Sequence, residues 1–167
     1  MGDGTDEFLL SSDLIPIGRT ATQGPMTITL DYADDAVSGK IAMGAQEMPV
    51  NAALDAPVWP SDEGLRVALM ALPLNDETAV TYRTFDLQTQ KVRVWSLKVE
   101  GRETIETEAG SFESYKLAIE AMDDMGGGQT MWVTVEAPHL TVKVDATLPP
   151  QAGGGAMNTV LTSVSAE

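Results

Sequence analysis

The chain contains no cysteine. That absence removes disulfides, a thiolate nucleophile, iron–sulfur clusters and every Cys-ligated zinc site. Histidine occurs once, as His139 between Pro138 and Leu140. No G-x-S-x-G elbow accompanies it, and a lone imidazole cannot supply a multi-histidine metal centre, so triad and zinc hydrolase chemistry are both disfavoured. His139 reads instead as a turn or strand-edge residue. Aromatics make up only 5% of the chain, so its core must be built mainly from Val, Leu, Ile, Ala and nine Met. No apolar run approaches the length of a membrane span. The opening MGDGTDEFLLSSD has neither a basic n-region nor a long h-region, so the chain as given reads as soluble, and export would require a signal removed ahead of it. Asp6 stands where a Met-Gly acylation signal wants Ser or Thr.

Positive charge is scarce too. Ten Lys and Arg face twenty-five Asp and Glu, a net charge of -15. Such a chain repels phosphate backbones and anionic headgroups, which argues against nucleic acid and against a membrane surface as partners. The acids are dispersed, so they read as a solvated surface rather than an interaction tail. Solubility is one explanation. Adaptation to high salt is the other, and few Lys with frequent Thr and Ala lean toward a halophilic source.

What is present is strand pattern. A length of 167 residues with 43% hydrophobic content suits one β-rich domain over 1–167, with residues 1–20 a loosely ordered entry that includes one edge strand. From Met26 the alternation is clean: Met26, Ile28, Leu30 and Tyr32 on one face, Thr27, Thr29 and Asp31 on the other. Val37 to Met43 and Gln46 to Leu54 continue as an antiparallel meander. Ser61 is a candidate N-cap for a helix to Leu72, with Leu65, Ala68, Leu69 and Leu72 on one stripe and Pro73 blocking extension. Strand signals resume at Thr78 to Leu87 and Lys91 to Val99, where the apolar phase slips between Val94 and Trp95 and predicts a bulge or a strand covered on both sides. Further strands are expected over Thr130 to Glu136, Leu140 to Leu148 and Met157 to Val164. Pro149-Pro150 and the Gly153 to Gly155 run separate the last two.

The most informative block is VEGRETIETEAGSFESYK, Val99 to Lys116. Gly101 interrupts a strand-like run, Ala109-Gly110-Ser111 supplies a reversal, and Tyr115, Leu117 and Ile119 resume a strand with one buried face. This predicts a hairpin or strand corner anchored by Phe112 and Tyr115.

Gly101, Glu103, Ala109-Gly110, Phe112, Tyr115 and Lys116 resemble the recurrent signature of an uncharacterised family of β-rich bacterial envelope domains, and LRVALMALPL, Leu65 to Leu74, resembles its upstream landmark. The resemblance spans roughly Met43 to Val144. It implies a fold similar to the half-barrels of lipoprotein carriers, a curved antiparallel sheet around an apolar hollow with one short helix packed on it. It also implies a periplasmic or extracellular location, and carries no activity with it.

Candidate chemistry is thin. Paired carboxylates suit glycoside hydrolysis, yet an acidic chain offers such pairs by chance. Asp31, Asp34 and Asp35, and separately Asp123 and Asp124, lack the ligand spacing of an EF-hand. No metal and no cofactor is expected. The remaining constellation is apolar: Trp59, Tyr82, Trp95, Trp132 and Met70, with Met43, Met48, Met122 and Met131, either line a hollow or complete the core under the helix. The expectation is a non-enzymatic domain that binds a hydrophobic ligand or an envelope protein. The alternatives are an accessory module of a larger envelope enzyme and a glycan-active enzyme using two carboxylates.

Overall fold

The computed structural model describes residues 4–61, 63–147 and 154–164. Its elements are β1 (Gly4–Leu10), β2 (Pro16–Gln23), β3 (Met26–Tyr32), β4 (Ala36–Met43), β5 (Gln46–Ala53), α1 (Glu63–Ala71), β6 (Ala79–Asp86), β7 (Lys91–Thr107), β8 (Gly110–Ala121), β9 (Gly128–Thr134), β10 (Thr141–Thr147) and β11 (Ala156–Val160). The protein is mainly β, built from two antiparallel meanders and one short helix. β1 to β5 form one sheet and β6 to β11 another, each in chain order, and neither closes into a barrel. The chain divides into two compact units, Met1–Ala68 with Arg83–Arg93, and Leu69–Tyr82 with Val94–Glu167.

In the first unit the predicted alternation holds. Ile28, Leu30, Val37, Val50, Leu54, Val58 and Phe85 are buried together, with Met26, Tyr32, Ile41 and Val92 packed at their margin. Within the entry expected over residues 1–20, the edge strand is β1, which begins at Gly4 and pairs with β2. β1 escapes a period-two reading because most of its side chains are exposed. Polar contacts hold it instead: Arg19 donates to Asp6 through Nε at 3.0 Å and Nη2 at 2.7 Å, its guanidinium lies 4.8 Å from the Phe8 ring centre, and the hydroxyls of Thr5 and Thr22 are 2.7 Å apart.

In the second unit Leu97, Val99, Tyr115, Leu117, Ile119, Met131, Val133 and Val144 are buried on one face of the sheet. β7 is a single strand of 17 residues that runs straight through Gly101, where its register against β8 shifts. The phase slip read at Val94 and Trp95 falls where β7 passes from one unit to the other: Val92 packs on the first core, while Leu97 and Val99 belong to the second. The last strand stops at Val160 rather than Val164. Leu148, Pro149-Pro150 and Gly153 lie outside the described residues.

α1 begins two residues after Ser61, whose carbonyl accepts from the Gly64 amide at 3.0 Å. Leu65, Ala68 and Leu69 are buried as the stripe predicts, and Leu72 is half-buried just past the helix end.

Candidate functional site

The register of β3, β4 and β5 defines a face. Met26 pairs with Met43, Ile28 with Ile41, Leu30 with Gly39 and Tyr32 with Val37; across the next ladder Met43 pairs with Gln46, Ile41 with Met48, Gly39 with Val50 and Val37 with Ala52. Directly paired residues in an antiparallel sheet point to the same side, so these side chains share one face. None of them is an acid or a base, although 21% of the chain is charged. At one end this face is the buried core, where Leu30, Val37 and Val50 have almost no exposure. At the other end it opens: Met26 is half-buried, while Met43 and Met48 are 56% and 58% exposed. The apolar stripe therefore continues past the residues that cover it. Gln23, paired with Met26, and Gln46, paired with Met43, border it with neutral amides. Lys40 and Glu47 pair with each other on the opposite face at 2.7 Å.

The other expected hollow residues divide between the two units. Trp59 is a half-buried residue of the first unit, held by a bridge to Thr84 with its amide donating to the Arg83 carbonyl at 2.6 Å. In the second unit Tyr82 is buried, Trp95 and Met70 are half-buried, and Met122 is exposed. Met131 is sealed in the core at 1% exposure. Trp132 lies on the face opposite Met131, in register with Lys116 on one side and Lys143 on the other.

That face is laced with charge. The Trp132 indole donates to Glu103 at 3.0 Å, and the Lys143 ammonium sits 4.4 Å above the ring, a cation–π contact. Lys116 reaches Glu100 at 3.4 Å and Glu103 at 3.6 Å. The hydrogen bond with Glu100, and then the Glu103 charge, hold its ammonium above the usual lysine value. Lys143 pairs with Asp145 at 2.7 Å and, with Asn158 adding a second hydrogen bond, keeps that carboxyl below its ordinary value. Trp132 is only 7% exposed, with the Lys143 ammonium over its ring and Glu103 on its indole nitrogen.

The signature residues are structural in their placement. Gly101 marks the register shift in β7, and Gly110, at φ 130°, closes the β7–β8 turn, where the Thr107 hydroxyl donates to its carbonyl and accepts from the Ala109 amide. Phe112 is half-buried and Tyr115 buried. Arg102 stands 5.0 Å from the Tyr115 ring centre and grips Asp76 through two hydrogen bonds of 2.7 Å; that grip lowers the Asp76 pKa and raises that of Arg102. His139, expected at a turn or edge, is a buried loop residue. Its Nδ1 lies 2.7 Å from the Thr134 carbonyl and its ring meets Tyr115 edge-on at 6.0 Å.

Carboxylates do share grooves: Glu100 with Glu120, Asp13 with Asp34, and Glu113 with Glu136. All six are exposed. Among the described residues no group of three or more His, Cys, Asp or Glu is placed to hold a metal ion, and no helix is long and apolar enough to cross a membrane.

Fold and site together define an antiparallel β scaffold with an open sheet face that holds no acid or base along β3 to β5, while Arg19, paired with Leu30, and Asp6 lie on its continuation over β2 and β1. The chain belongs to the family described as "Protein of unknown function (DUF3108)", whose profile matches residues 1–157. That span extends beyond the Met43 to Val144 stretch that carries the sequence resemblance. No curated protein and no solved structure matches the chain.

Proposed function

We propose that the protein is a non-enzymatic binding domain of the bacterial envelope, periplasmic or extracellular, that takes a hydrophobic ligand on the apolar face of β3 to β5. The observation that carries this reading is the exposure of Met43 and Met48 on the β3–β5 stripe, which holds no acid or base and elsewhere forms the core. Leaving two large apolar side chains in water forfeits about 1.5–3 kcal/mol each relative to covering them. Unbranched thioethers also adapt to ligands of varied shape. The net charge of -15 favours a ligand without negative charge. The glycan-active alternative has less support, because a general acid needs a carboxyl shielded from water and the groove carboxylates are all exposed.

Nile red, a neutral apolar probe, tests the reading without electrostatic bias. The native protein is expected to bind it, and a Met43→Asp/Met48→Asp variant with an unchanged circular dichroism spectrum is expected to lose about tenfold or more in affinity. Equal binding by the variant would overturn the assignment of the face. Binding of no apolar probe, with a stable homodimer or a co-purifying envelope protein that the same variant disrupts, would replace the small ligand with a protein partner.

A further inference from the structure

With no cysteine in the chain, its nine methionines carry all of its sulfur. We propose that Met43 and Met48 are oxidant-modified residues, and that conversion of their thioethers to sulfoxides switches off the apolar face of β3 to β5. The first half stands on exposure alone. The second rests on the reading of that face as a binding surface.

Thioether oxidation requires the oxidant to approach a sulfur lone pair, so susceptibility follows accessibility. Met43 and Met48 are more than half exposed, Met26 beside them is half-buried, and Met131 in the second core is 1% exposed. The step is a two-electron oxygen-atom transfer from a peroxide. The sulfur lone pair attacks the terminal peroxide oxygen, the O–O bond breaks as the S–O bond forms, and hydrogen peroxide leaves as water. The sulfur is oxidised, the peroxide is reduced, and no proton is gained or lost overall.

The consequence follows from where these two residues sit. A sulfoxide is a strong hydrogen-bond acceptor with a large dipole, so each oxidation plants a polar group in the β3–β5 stripe, which otherwise holds no acid or base. Because both side chains already stand in water, the new groups stay hydrated and the fold loses little. An apolar ligand, in contrast, would have to strip that water away. Met122 and Met157 are exposed as well, at 60% and 44%, but belong to the second unit, and a variant that removes both tests whether their oxidation contributes.

The test treats the full chain with hydrogen peroxide at about millimolar concentration and reads three quantities: peptide mass, melting temperature and Nile red affinity. Sulfoxide is expected at Met43 and Met48 while Met131 stays unmodified, with the melting temperature little changed and dye affinity reduced by about tenfold. A mixture of the two stereospecific methionine sulfoxide reductases should restore it. A Met122→Leu/Met157→Leu variant should lose dye affinity after peroxide as the parent protein does, which separates these two exposed sites from Met43 and Met48. The proposal is overturned if Met43 and Met48 remain unmodified when Met131 is oxidised, if their oxidation leaves affinity intact, or if the leucine variant keeps its affinity after peroxide. If untreated protein binds no dye, the binding reading fails and the switch with it, while the mass map independently decides the modification sites.

Discussion

Trp132 shows how a single residue takes its role from neighbours that are remote in sequence. Its indole lies under Lys143 and donates to Glu103, a contact 29 residues away along the chain. Trp132→Phe keeps the ring and the covering lysine but removes the donor. Glu103 is 46% exposed and can turn to water, so the expected cost is that of one hydrogen bond to a charged acceptor with solvent compensation, about 0.5–1.5 kcal/mol. Urea unfolding of the two proteins measures it. A loss of about 3 kcal/mol or more would mean that the indole fills a cavity that phenylalanine cannot, as expected of a hollow-lining residue. Lys143→Met separates the cation–π contribution, since it preserves the covering stem and deletes the charge.

At the level of elements, β4 carries the tightest geometric demand. Gly39 has φ 150°, and a Cβ built there would lie 2.1 Å from the Thr29 carbonyl oxygen of β3. No side chain fits without moving one strand off the other. Gly39→Ala is expected to lower stability by about 1–3 kcal/mol, read as a fall in urea midpoint with an unchanged slope. An unchanged midpoint would show that the β3–β4 ladder relaxes freely around this point. Such strands were legible from sequence when one face was buried and the other wet, as in β3, β4, β8 and β10. β1 was legible only as an edge strand without bounds, because side-chain contacts with β2 come from the Arg19 ion pair and exposed hydroxyls rather than an apolar stripe. Gly101 suggested an interruption, yet a glycine in a strand also permits a bulge, and only pairing with β8 tells the two apart. The methionine face was half legible. Alternation placed Met26 with Ile28 and Leu30, but how far the core covers that stripe is set by contacts distant in sequence.

For the whole molecule, two electrostatic effects oppose each other as salt is added. Screening weakens exposed ion pairs such as Arg102–Asp76 and Lys116–Glu100, which contribute little to stability. The same screening relieves repulsion among twenty-five acids that only ten Lys and Arg can answer. Even with every base offsetting one acid, a net charge of -15 remains unbalanced, so relief should win. At pH 7 the melting temperature is therefore expected to rise steadily from low to molar sodium chloride. A flat or falling curve would show the acids too dispersed for their repulsion to matter. Acid titration probes the attractive side. Asp55 beside Arg83, Asp76 beside Arg102 and Asp145 beside Lys143 all have pKa values below the ordinary 3.8. A lowered folded value means that the unfolded chain takes up the proton first, so these pairs stabilise the fold fully above 3.8 and lose that contribution as pH falls through the lowered values. Relief of repulsion begins at higher pH, as the other acids start to neutralise. Stability at low salt should accordingly improve from pH 7 toward mildly acidic solution and decline below 3.8, while molar salt should flatten the upper limb more than the lower one, because close, hydrogen-bonded pairs are screened less than distant like charges.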